Sequence, residues 1–180
     1  MLIKKMAGIV VALVVIALAT TLTATGVFAG DNPKERPFSA PMEGTFAVLL
    51  ETCVQVGIDL QCTFELHGEG NATHLGKFGD DSTWLVQIDG AIVDPASTRG
   101  SIVSGTGTLT AANGDTVRIT ADPGSRLDDG TINAPFNITG GTGRFARASG
   151  IIIRSGVFSI TDPLALLGEF EVSYEGTITY

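Results

Sequence analysis

Residues 168–180 read GEFEVSYEGTITY, and in them Phe170, Val172, Tyr174, Ile178 and Tyr180 alternate with Glu169, Glu171, Ser173, Glu175, Thr177 and Thr179. A period of two puts the apolar set on one face and the acidic and hydroxyl set on the other, as in a β-strand buried on one side only. Gly176 interrupts the apolar face, which marks a bend or a close approach of a neighbouring backbone. Such a strand needs partners, and the chain upstream supplies them. Short runs of the same character, fenced by Gly, Asn, Asp or Pro, are expected as strands at 44–54, 60–68, 72–79, 83–89, 101–111, 115–121, 131–139 and 149–160. No segment has apolar spacing of helical period and helical length. Within this pattern Ala112-Asn113-Gly114-Asp115 reads as a hairpin with a type I′ turn, since Asn-Gly supplies two positive φ angles.

The chain holds 23 Gly in 180 residues, close to twice the usual frequency, and Gly105, Gly107, Gly150, Gly156, Gly168 and Gly176 fall inside expected strands. Glycine weakens a flat strand but permits the strong coiling of a small closed barrel. Closure also removes exposed sheet edges. The expected fold is therefore all-β, a closed antiparallel eight-stranded barrel over 44–180, with a two-sheet sandwich as the rival. Residues 30–43, with three prolines and four charges before Pro37, read as a linker.

Ahead of the barrel, residues 1–29 have the three parts of a secretion signal: Lys4 and Lys5, an apolar stretch over 9–18, and the small-residue exit Val27-Phe28-Ala29. A signal helix cleaved after Ala29 and an exported, periplasmic or extracellular protein are expected. The alternative is a retained membrane anchor, which the threonines at 20, 21, 23 and 25 disfavour. The formal net charge is −8. Such a chain is repelled by phosphate backbones, so nucleic acid is excluded as a partner, and a membrane is expected only if the leader stays.

Cys53 and Cys62 are the only cysteines. In an oxidising compartment they favour a disulfide. Gly57-Ile58 between them suits a two-residue hairpin turn with Gly first, and counting outward pairs 56 with 59, 55 with 60, 54 with 61 and 53 with 62. Continued further, that register sets Glu51 against Phe64 and scatters the apolar residues over both faces, so a bulge is expected. Two free buried thiols are the alternative.

Residues 140–150, GGTGRFARASG, lie between a strand ending near Thr139 and the apolar run Ile151-Ile152-Ile153. Gly140, Gly141 and Gly143 allow a tight turn, Phe145 can enter the core as a plug, and Gly150 lets the next strand coil away. A phosphate cradle needs a following helix, which this context lacks. The segment resembles the GGTG-x-F-x-x-A-x-G stretch of dirigent proteins and is similar to the matching stretch of the allene oxide cyclase barrel family. Thr73-His74-Leu75-Gly76 resembles a segment of bacterial exported proteins of the same kind. The resemblance implies an eight-stranded barrel with an apolar interior. It carries over no reaction, because the catalytic positions of those families lie outside the matched stretch.

Chemistry is thinly signalled. His67 and His74 have no third ligand at diagnostic spacing, so no metal and no cofactor are expected. Asp80, Asp81, Asp128 and Asp129 read as solvated turn residues. No serine-nucleophile elbow is present. An eight-stranded barrel can hold one small molecule, and the leading expectation is a non-catalytic module binding a small apolar or aromatic ligand. His74 and Trp84, flat rings with polar handles, are the candidate anchors. The alternatives are a cyclase or isomerase using one buried carboxylate of raised pKa, and a structural protein of the cell envelope.

Overall fold

The alternating segment 168–180 forms the last strand of the structure, a computed structural model that describes residues 34–94 and 97–180. Among these residues the strands are β1 (Glu35–Val56), β2 (Asp59–Ala72), β3 (Gly76–Ile88), β4 (Gly100–Ala111), β5 (Thr116–Ala121), β6 (Arg126–Asp128), β7 (Thr131–Gly141), β8 (Gly150–Asp162) and β9 (Leu167–Thr179). All pairings are antiparallel. The order β3-β2-β1-β9-β8-β7-β5-β4 is closed by β3 pairing with β4, from Phe78↔Ala111 to Ile88↔Gly100. Eight strands thus form a continuous ring, which excludes the sandwich. The short β6 fills the gap between β4 and β7 where β5 has ended.

The period-two pattern now has a direction: Phe170, Val172, Tyr174 and Ile178 of β9 point into the barrel and are buried, and the glutamates between them face water. Glycine shapes the interior as expected. Gly44 and Gly68 face each other across β1 and β2, and the Phe170 ring lies over both, so a Cβ at Gly44 would sit 2.6 Å from its Cζ. Gly176 lies so close to the β8 backbone that a Cβ there would meet Ile152 Cα at 2.8 Å.

Four expectations need correction. Residues 35–43 are strand, not linker: β1 begins at Glu35 and pairs with β9 from Glu35↔Thr179 onward, with Phe38, Ala40 and Met42 buried. The prolines are tolerated because this stretch of β1 pairs with β9 alone. Ser39 between them directs its backbone N and O to Thr73, away from β9, and Pro37 and Pro41 share its orientation, so no ladder donor is lost. Residues 72–79 and 83–89 are not separate strands. The turn lies at 73–75, and a single strand runs through the acidic residues 80–82. Asp80 and Asp81 accordingly lie in a strand and not in a turn: Asp81 faces water as expected, whereas Asp80 is 1% exposed inside the barrel. The hairpin at Asn113-Gly114 exists but is not type I′. Only Gly114 has positive φ, and the Ala111 N–H donates to the Asp115 carbonyl around a three-residue loop.

The β1–β2 register is 54↔61, 55↔60 and 56↔59, as counted from the sequence, and the expected bulge separates it from Leu49↔Thr63. Cys53 and Cys62 form a disulfide there, with Cα atoms 4.2 Å apart. The leader, residues 1–29, lies outside the described residues.

Candidate functional site

The barrel is unevenly filled along its length. At one end, β1, β2, β3 and the turns β3–β4 and β8–β9 surround an open cavity of about 310 Å³. Its wall is made by inward-facing side chains such as Phe46, Val48, Leu60, Phe64, Val86, Ile88 and Leu166, together with the Cys53–Cys62 disulfide. Trp84 and Phe158 also line it. Among the described residues Arg99 is the one charged lining residue, and its side chain is taken up by Asp129 at 3.0 Å.

The rings of Trp84 and Phe158 also cover Arg154, which is 0% exposed. Its guanidinium carbon stands 4.5 Å from the Trp84 ring centre, 4.9 Å from Phe170, 5.2 Å from Tyr174 and 5.6 Å from Phe158. A cation enclosed by ring faces is held by their quadrupoles, yet a charge so buried also needs polar partners. It has few. Nη1 donates to the Tyr174 hydroxyl at 2.8 Å and lies 3.6 Å from Asp80 Oδ2, while Nε and Nη2 have no hydrogen-bond partner among the described residues. Asp80 Oδ1 accepts from the Ser82 hydroxyl at 2.5 Å, but Oδ2 accepts no hydrogen bond, and the Trp84 indole N–H is also unpartnered. Burial pushes the Asp80 carboxyl above its ordinary value, against the opposing pull of Arg154 and the Ser82 hydroxyl. Burial likewise pushes the Tyr174 phenol up, so it is neutral and able to donate.

Parity along the strands brings this cluster together. Asp80 and Ser82 are in phase with Phe78 and Trp84 on β3, Arg154 with Ile152 on β8, and Tyr174 with Val172 on β9. The same rule, carried through the acidic residues of β3 instead of stopping at them, would have found the cluster from the sequence.

The two expected anchors are not brought together. Trp84 lies between cavity and arginine. His74 sits in the β2–β3 turn, at the other end of β3, where its Nε2 donates to the Pro37 carbonyl at 2.7 Å and its ring meets Tyr180 edge-on at 5.7 Å. Arg144 binds the His74 carbonyl at 2.6 Å. His67 is elsewhere again, on the outer wall with Asp81 at 2.8 Å. Among the described residues no three metal-ligating side chains gather.

The glycine-rich segment closes the end opposite the cavity. Gly140 has φ +119 and Gly143 φ +55, the latter opening a single 3-10 turn, Gly143–Phe145. Phe145 is fully buried and its ring meets that of Tyr180 edge-on at 4.8 Å. A Cβ on Gly141 would collide with the Thr116 carbonyl, and one on Gly150 with that of Thr177. The segment is a plug, remote from the cavity.

No protein-family model matches this chain, and no curated protein matches it in sequence. Among solved structures it is similar to the pterocarpan synthase dirigent protein, with a TM-score of 0.48 and 13% identity over 91% of this chain and 99% of that one. Ring closure therefore rests on this chain's own strand pairing.

Proposed function

We propose that the protein binds a small apolar or aromatic molecule in the mouth of its barrel, without transforming it. The observation that carries this reading is the cavity of about 310 Å³, whose lining is mostly aliphatic, aromatic and disulfide, with Ser97, Thr98 and the ion-paired Arg99 at one side and the Trp84 ring among its aromatic residues. Spaces of this size and character are where small ligands bury most of their surface. His74 takes no part in it, and Trp84 is the anchor. The binding protein is exported and its leader is removed after Ala29. The Cys53–Cys62 disulfide supports an oxidising location.

Thermal unfolding in the presence of neutral phenolics and short lipids tests the proposal. Ligands that fit raise the midpoint of the protein but not that of Ala91→Leu, which grows a side chain into the cavity from its rim. A panel that shifts neither protein, or both equally, refutes it.

A second reading, a cyclase or isomerase acting on a reactive apolar intermediate, is favoured by one observation: a carboxyl of raised pKa and a neutral phenol lie directly behind the cavity floor. Neither Asp80 nor Tyr174 lines the cavity, so binding ranks first. Asp80→Asn separates the two, because it spares ligand affinity under both readings and abolishes turnover only under the second.

A further inference from the structure

The large exposed aliphatic side chains of the barrel fall into two groups: a short stripe on the outer wall of β8, and a crown at the end where the cavity opens. Val54 and Ile58 project from the β1–β2 tip, Ile92 and Val93 from the β3–β4 connection, Leu164 from the β8–β9 turn and Leu167 from the first position of β9. Val93 is 72% exposed and Leu164 94%. These are not frayed ends. The Ile92 N–H donates to the Ile58 carbonyl at 3.0 Å, which ties the first two connections together, and the Val48 N–H donates to the Leu166 carbonyl at 3.0 Å, which ties the third to β1. At the opposite end the large apolar residues of the turns, Leu75 and Phe145, are tucked into the core.

We propose that this crown docks the protein on a neutral lipid surface, with the barrel mouth facing the acyl chains. Three separate tips around a hole offer points, not a continuous patch. A fluid apolar phase can fill the space between such points, whereas a folded partner would have to match each of them. Charge narrows the choice of lipid. The arginines beside the mouth are neutralised, Arg99 by Asp129 at 3.0 Å and Arg126 by Asp89 at 2.8 Å, and the chain is acidic, so anionic headgroups are not attracted. What remains is the burial of aliphatic side chains. The proposal holds whether or not the cavity takes a ligand. If it does, the ligand moves between bilayer and barrel without crossing water.

The test uses the full chain, phosphatidylcholine vesicles, and two added tryptophans: Leu164→Trp in the crown and Asn113→Trp in the hairpin at the far end. Trp84, the chain's single native tryptophan, is buried and common to both. Docking predicts that vesicles shift the emission of Leu164→Trp to the blue, and that lipids with brominated chains quench it several-fold more than that of Asn113→Trp. Val93→Ser combined with Leu164→Ser, both at exposed positions and so harmless to folding, lowers vesicle partitioning by roughly tenfold or more. Quenching equal at both positions, or stronger at 113, assigns attachment to the leader and overturns the proposal. No quenching at either position overturns it as well. A blue shift that appears without vesicles and rises with protein concentration, with sedimentation as a dimer, overturns it in favour of a second copy of this chain.

Discussion

Arg154 is fully buried among four aromatic rings and one carboxyl, and its energetics follow from that burial. Its cation is offset by Asp80 and by ring faces, while Nε and Nη2 have no hydrogen-bond partner among the described residues. Removing one member of a buried pair leaves the other stranded, so Arg154→Met is expected to cost about 3–5 kcal/mol in urea unfolding. Adding Asp80→Leu to it recovers most of that loss, since an apolar pair of similar volume suits the aromatic surroundings. A double variant no more stable than the single one would show that Asp80 is not the partner that matters. The raised Asp80 carboxyl also sets a pH dependence. Folding favours its protonated form, so its contribution to stability is complete below the ordinary carboxylate value and is lost as pH rises through the elevated one. The stability of the protein relative to Asp80→Asn therefore falls as pH is raised from 4 towards neutrality. Parallel profiles would contradict the assignment. The sequence shows Asp80 as one more acid in an acidic turn, because residues 80–82 look like a break between strands. Only strand parity, which places Asp80 in phase with Phe78 and Trp84, reveals that it is buried.

At the scale of elements, the β1–β2 hairpin shows most clearly what is legible in advance. Its turn residues and the two cysteines fix the register near the tip, and the mismatch at Glu51 already calls for a bulge. The disulfide fastens that bulge to the cavity wall. Reduction, or Cys53→Ala with Cys62→Ala, is expected to cost about 2–3 kcal/mol by restoring freedom to the unfolded loop. It should also speed amide exchange over 50–61 while leaving 131–141 unchanged. Uniform acceleration throughout the barrel would mean that the bridge acts globally. The start of β1 was not legible. Pro37 and Pro41 normally exclude a strand from a sheet, and only the finding that 35–41 pair on one side alone explains their presence. The type of the Asn113-Gly114 turn is illegible for a related reason: the dipeptide permits two positive φ angles, but the flanking strands impose a three-residue loop.

For the molecule as a whole, ring closure through β3 and β4 creates an inside, and unequal filling of that inside creates the site. Alternation and glycine content made the closed barrel readable. The hollow end was not readable, because a cavity is a volume left over by many side chains at once, and no local pattern encodes it. The apolar character of the interior is legible in the alternation, whereas its buried cation is not. Binding in the barrel requires that this hollow accept a ligand against Trp84. Titration with N-phenyl-1-naphthylamine, a neutral aromatic amine that accepts excitation energy from indole, measures this directly with the chain's single tryptophan as donor. Saturable one-to-one binding that quenches Trp84 and sensitises the probe, and that Leu60→Phe abolishes by filling the cavity, is the predicted result. Probe binding with no transfer from Trp84, or transfer unaffected by Leu60→Phe, would contradict it.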